Sequence, residues 1–209
     1  MAAGFWPSRD CFIGLLRERN VMEPKRPDRI DCNPACSWVL VGMMGSGKST
    51  VGKLIANKTG RRYVDTDRAV ESRVGRSVSN IFSVYGEQAF RDHETALLAS
   101  MVPGRDVVST GGGVVLREAN WSEIRRLGVS VYLHVDLEVL RQRLGRSRRK
   151  RPLLANEDWE ERLAAILQSR LELYRRADAC LEVGDESMEE VAKKAVALFE
   201  GLEAARSVR

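Results

Sequence analysis

The chain has 209 residues, 44% of them hydrophobic and 30% charged, with a formal net charge of +5. Those are the proportions of one globular domain with some extra chain. No apolar run approaches the roughly 18 residues needed to cross a bilayer, which speaks against a membrane-spanning protein.

Residues 1–35 carry four of the six prolines, mix both charge signs and show no helical or strand period. They read as a disordered N-terminal extension. Asp10, Glu18, Glu23, Asp28 and Asp31 are out of keeping with an organellar transit peptide, which is poor in acids. Met22 is an alternative start, and an N-terminal peptide map distinguishes the two. Of the four cysteines, Cys32 and Cys36 have no nearby histidine or second Cys pair, so no zinc site is expected. Cys180 lies in an apolar segment and reads as a small core residue. With no secretory signal, the thiols are expected to be reduced and the protein cytoplasmic.

From Trp38 the pattern becomes regular. "WVLVG" is a short buried strand, followed by a glycine loop and a helix from Lys48 to Thr59 closed by Gly60. "RYVDTD" is a second strand ending in acids. Helices are expected over Arg68–Val74 and from Val78 to about Met101, with Gly86 as a candidate break. "DVVST" is a third strand running into "GGG", and "VSVYLHVD" a fourth. "LEVLRQRL" is a helix, and the basic arm follows it. Glu157–Ala177 is a long helix, "ACLEV" a fifth strand and Met188–Leu202 a closing helix. Strands alternating with helices imply one α/β domain, a parallel sheet covered on both faces, with a helical insertion after the second strand.

The loop "GMMGSGKST" matches G-x-x-x-x-G-K-[ST] through Gly42, Gly47, Lys48 and Ser49, between a strand and a helix start. There, backbone N–H groups and the helix N-terminus favour phosphate oxygens. Lys48 can reach the β- and γ-phosphates, and the Ser49 hydroxyl can ligate Mg²⁺. The nucleotide cradle is then Gly45, Ser46, Gly47, Lys48, Ser49 and Thr50. Asp65 and Asp67 end the second strand, where carboxylates of a parallel sheet face the ligand crevice. Alternation along the strand lets one serve a Mg²⁺-bound water and the other a hydroxyl acceptor, while capping of the next helix is the alternative role.

In the helix over Glu157–Ala177, Arg170 follows Leu163 by seven residues and precedes Tyr174 by four, so it projects from the apolar face. A guanidinium there calls for an anion, from the protein or from a substrate carboxylate. Arg91 shares a face with Glu94 and Leu98; Glu94 can orient it and leave its other donors free, or the two can be a plain surface pair. Seven basic residues and no acidic one lie from Arg141 to Arg151. Next to a phosphate loop, this run reads as a mobile arm closing over a nucleotide rather than a nucleic-acid patch. His93 and His134 are isolated, and His134 reads as packing.

Together, "GMMGSGKSTVGKLIA", "YVDTD", "GRSVSNIF", "GEQAFRDHE", "STGGG", "RPLL" and "RLELYRRA" resemble the shikimate kinase family in order and spacing, from about Trp38 to Leu202. The resemblance implies a P-loop kinase like the nucleoside monophosphate kinases, with a five-stranded parallel sheet in the order 2-3-1-4-5 sandwiched by helices. The domain would span 36–205, with a substrate-binding insertion at about 67–98 and a lid at about 145–156.

The activity so implied is ATP-dependent phosphorylation of the 3-hydroxyl of shikimate, in chorismate biosynthesis, by a monomer that binds neither nucleic acid nor membrane. By motif position, Ser49 would ligate Mg²⁺ with Asp65 as its outer-sphere partner. Asp67 would meet the substrate hydroxyls, with Lys48, Asp67 and Arg151 as the catalytic residues. Arg91 and Arg170 would clamp the carboxylate, and Gly111, Gly112 and Gly113 would line the substrate. Arg151 would close over the phosphates and Arg146 would stack on adenine. At Gly184–Ser187 the family often offers an arginine to the nucleotide, where this chain reads "GDES". A gluconate-kinase-like enzyme and a catalytically silent nucleotide-binding regulator remain the alternatives.

Overall fold

The computed structural model describes residues 36–146 and 158–207. The expected extension over 1–35, most of the expected lid, and Arg151 lie outside the described residues. Strand β1 (Ser37–Val41) is buried along its whole length. It pairs in parallel with β3 (Asp106–Ser109) on one side and β4 (Gly128–His134) on the other. β2 (Arg62–Asp65) extends the sheet beyond β3 and β5 (Ala179–Glu182) beyond β4. The resulting order is β2-β3-β1-β4-β5, all parallel. A central parallel strand is covered on both faces, which is why "WVLV" is apolar throughout rather than alternating.

The helices are α1 (Lys48–Thr59), α2 (Thr66–Val74), α3 (Val78–Ser100), α4 (Glu118–Leu127), α5 (Leu137–Gly145), α6 (Trp159–Tyr174) and α7 (Met188–Ser207). α1 packs on α7 across β3 and β4, while α4 pairs with α3 and also covers β4. The main core lies between these groups, around Trp38, Ile55, Trp121, Ile124, Tyr132, Leu163, Tyr174 and Phe199. A smaller cluster of Val70, Ile81 and Phe90 sits beneath α2 and α3.

Four expectations need correction. β2 stops at Asp65, so Asp67 belongs to the first turn of α2 and strand alternation does not govern it. Helix α4 was not anticipated; its Asn120, Trp121, Ile124 and Leu127 are buried, and its polar positions hid a short amphipathic period. α6 is shorter than the apolar pattern suggested, and α7 runs on to Ser207. Cys180 is exposed rather than a core residue; β5 is the sheet's edge and only Leu181 of it is buried.

The extra turns of α7 have a tertiary cause. Glu203 accepts from Trp38 Nε1 at 3.0 Å and from Arg61 Nη2 at 2.6 Å. Arg206 donates to the carbonyls of Gly128 and Arg125. Arg61, only 3% exposed in its side chain, also donates to Cys36 O at 2.7 Å and stacks 3.7 Å over the Trp38 ring. Removing one partner of a largely buried ion pair strands the other. Arg61→Ala is therefore expected to cost about 2–4 kcal/mol and to lower Tm by about 5–15 °C in a thermal melt. A shift under 2 °C or so would show that this junction contributes little.

Candidate active site

The C-terminal ends of β1, β2 and β3 open onto the loop between β1 and α1. Gly47 stands at φ 93° and caps α1 without a side-chain hydrogen bond. The N–H groups of the first turn therefore face outward as anion donors. Lys48 is 7% exposed. Its Nζ donates to Gly42 O at 2.7 Å and Met43 O at 2.8 Å, so the charge is held against the loop's own carbonyls. Ser46 is buried, and its Oγ lies 3.4 Å from the same ammonium. Thr50 N–H bonds back to Gly47 O at 3.0 Å, closing the first turn.

Ser49 Oγ donates to Asp65 Oδ2 at 3.1 Å, and Tyr63 OH reaches the same oxygen at 3.2 Å. Asp65 Oδ1 caps α2 by accepting from Arg68 N at 3.2 Å. The capping role foreseen for this pair thus falls to Asp65. Burial, and after it the Asp65 charge, pushes the Tyr63 phenol up, so it stays a donor. A serine hydroxyl beside a carboxylate is a hard-oxygen set of the kind Mg²⁺ takes. Among the described residues no group of three or more His, Cys, Asp or Glu could hold an ion alone. The donors fit an ion that arrives with phosphate.

The glycine run at Gly111–Gly113 lies against this end of the sheet. Gly111 N donates to Thr66 Oγ1 at 3.0 Å, tying it to the start of α2. A Cβ on Gly111 would stand 2.6 Å from both Asp67 Oδ1 and Glu94 Oε1. Two carboxylates therefore converge on its main chain. On Gly113 a Cβ would collide with the Arg91 guanidinium.

Arg91 and Glu94 are both buried on α3, and Arg91 Nη1 donates to Glu94 Oε2 at 2.9 Å. The other edge of the guanidinium is not free, contrary to the expectation. Glu87 Oε1 accepts from Nη2 at 2.9 Å and from Nε at 3.3 Å. Burial pushes the Glu94 carboxyl up, opposed by Arg91. Its Oε1 has no hydrogen-bond partner among the described residues.

Arg170 projects inward from α6, as its spacing indicates, and is 6% exposed. Among the described residues it pairs with no carboxylate; its Nη1 donates to Gly112 O at 3.2 Å. Tyr174, one turn on, donates to the same carbonyl. Burial takes its phenol up to about 12, against the pull of Arg170, so it remains protonated at neutral pH. The structure thus brings Lys48, Ser49, Asp65, Asp67, Arg91, Arg170 and the three glycines to one end of the sheet.

Arg146 is exposed at the end of α5. Leu144, two residues earlier, lies 3.1 Å from where a Gly45 Cβ would stand, so this end of α5 borders the phosphate loop. The "GDES" turn borders it too, because Met188 Sδ lies 3.2 Å from a Cβ on Gly47. The turn is tied up by its own acids: Glu186 accepts from Gly184 N at 2.7 Å, and Glu190 and Ser187 form a reciprocal cap. Sequence reasoning missed Glu87, Thr66 and Tyr174 as site residues. The i,i+4 relation of Glu87 to Arg91 and of Arg170 to Tyr174 was a usable signal.

A sequence profile of the shikimate kinase family matches residues 44–200. The chain is 42% identical over 165 residues to the shikimate kinase of Thermodesulfovibrio yellowstonii, covering 78% of this chain and 95% of that one. To the shikimate kinase of Gloeobacter violaceus it is 48% identical over 143 residues, covering 68% and 80%. Among solved structures, the shikimate kinase of Acinetobacter baumannii in complex with shikimate superposes with a TM-score of 0.75 at 34% identity, over 81% of this chain and 95% of that one. With the family profile matching most of the chain and relatives of this identity covered over four-fifths or more of their length, the chain belongs to the shikimate kinase family.

Proposed function

We propose that the protein transfers the γ-phosphoryl group of ATP to the 3-hydroxyl of shikimate, giving shikimate 3-phosphate and ADP. The observation that carries this reading is Arg170. It is a buried guanidinium with no carboxylate partner among the described residues, set against the Gly112 carbonyl beside a phosphate loop. A buried cation of this kind is stabilised by an incoming anion, and a planar carboxylate suits its fork.

Phosphoryl transfer asks for alignment and charge neutralisation more than for a strong base. The α1 N-terminus and Lys48 hold the phosphates, while Arg91 and Arg170 fix the acid end of the ring. Asp67, beside Gly111, orients the accepting hydroxyl and takes its proton as the P–O bond forms. Ser49 and Asp65 would hold Mg²⁺, which when bound offsets phosphate charge. Residues 145–156 serve as the lid, bringing Arg151 over the phosphates and Arg146 to adenine. The catalytic domain spans 36–205 and works as a cytoplasmic monomer with no nucleic-acid or membrane partner. No described helix is long and apolar enough to cross a membrane.

The test is a coupled ADP-release assay with shikimate and gluconate side by side, with and without Mg²⁺. Turnover with shikimate alone, abolished by a chelator and restored by Mg²⁺, is expected. Turnover with gluconate alone would overturn the assignment.

A further inference from the structure

Arg91 offers a ligand carboxylate less room than a clamp residue needs. Nη1 is held by Glu94, whose side chain is 1% exposed. The main chain of Gly113 lies so close to the guanidinium that a Cβ there would overlap Nη1, Nη2 and Cζ, which closes that approach. The remaining edge, Nε with Nη2, is the one that takes a carboxylate bidentately, and one oxygen of Glu87 occupies it.

Glu87 differs from Glu94 in two respects. Its side chain is 42% exposed, so water solvates it once it lets go. It also follows Gly86, which breaks α3 at φ 82° and ψ 168° with no atom within 4 Å of a Cβ position. Such a backbone is open to glycine and nearly closed to other residues. Glu87 therefore starts a new helical segment, directly after a break whose Cβ side is open.

We propose that Glu87 is a built-in stand-in for the substrate carboxylate, holding the Nε/Nη2 edge of Arg91 until the acid group of the substrate displaces it. The inference rests on the carboxylate clamp set out under Proposed function and adds a specificity-determining residue to it. No covalent bond changes: one carboxylate replaces another on the same two donors, and Glu87 moves into water. The exchange keeps Arg91 extended and paired in the empty protein. It also sets a threshold that a substrate lacking a carboxylate cannot meet, since such a molecule has nothing with which to replace Glu87.

The sign of one substitution decides the matter. If Glu87 competes with substrate, Glu87→Gln lowers the KM and the calorimetric Kd for shikimate about three- to tenfold, the weight of a partly exposed ion pair. If Glu87 merely braces Arg91, the same change raises both. The neutral methyl ester of shikimate is the control, and its Kd is expected to move less than about twofold. Glu87→Ala, which removes the group outright, is expected to shift the KM in the same direction as Gln. A KM that is unchanged or raised in both variants, or an equal gain by the ester, overturns the exchange. Arg91→Ala is run in parallel. If it leaves the shikimate KM unaltered, the clamp itself is wrong. If it raises the KM while neither Glu87 variant lowers it, the clamp stands and only the exchange fails.

Discussion

Replacing Arg170 with alanine is expected to raise the KM for shikimate about 30- to 1,000-fold, corresponding to about 2–4 kcal/mol of lost charge-assisted contact. The KM for ATP should stay within about twofold of the parent value. The asymmetry follows from placement. Arg170 reaches Gly112 O from α6, whereas the phosphate donors come from the loop and the first turn of α1. The variant should also fold at least as well, because it deletes a buried cation that forms no direct ion pair with a described carboxylate. A melt at or above the parent Tm, combined with a collapsed shikimate affinity, separates this role from a structural one. Unchanged shikimate kinetics would remove Arg170 from the clamp and leave its burial to be explained by packing with Tyr174.

Asp67→Asn is the second large effect. The amide keeps the shape but cannot take up the hydroxyl proton, so kcat is expected to fall about 10²- to 10⁴-fold. Shikimate KM should change far less. Asp67 Oδ1 and Glu94 Oε1 converge on Gly111, and Glu94 is the buried carboxyl of the two, pushed up by burial. Like charges placed together resist joint ionisation. The amide therefore relieves repulsion on Glu94. Retained Tm with lost turnover assigns Asp67 to chemistry, while near-normal kcat would exclude it. The pH–rate profile adds a second reading, because a limb belonging to Asp67 must vanish in the variant.

Much of this site was legible along the chain because its parts are local. The phosphate loop is one uninterrupted motif, and its function needs only a strand before it and a helix after it. Arg170 could be placed inward from its spacing to Leu163 and Tyr174 on one helix, since a 3.6-residue period maps a face without reference to the rest of the molecule. The break at Gly86 was visible as a glycine inside a helical pattern, and the structure gives it a positive φ.

Other features depended on partners distant in sequence. Asp67 read as a strand residue because "RYVDTD" alternates well; β2 ends at Asp65 because Asp65 is recruited to cap α2 while Thr66 binds Gly111. α7 outran its apolar pattern because Arg61, Trp38, Gly128 and Arg125 supply partners for Glu203 and Arg206. Cys180 looked interior because edge and central strands can share a composition, and only the pairing order makes β5 an edge.

By itself, then, the sequence determined the order of the five strands, the phosphate cradle and the inward placement of Arg170. These are set by short-range sterics and by periodicity, which neighbouring residues carry in full. Tertiary structure alone decided that Arg91 is buried and what Arg170 meets. Arg91 found two acids on its own helix, whereas Arg170 faces a glycine carbonyl 58 residues away in the chain. A buried charge is governed by whatever lies within a few ångströms of it, and packing brings those groups together from across the chain.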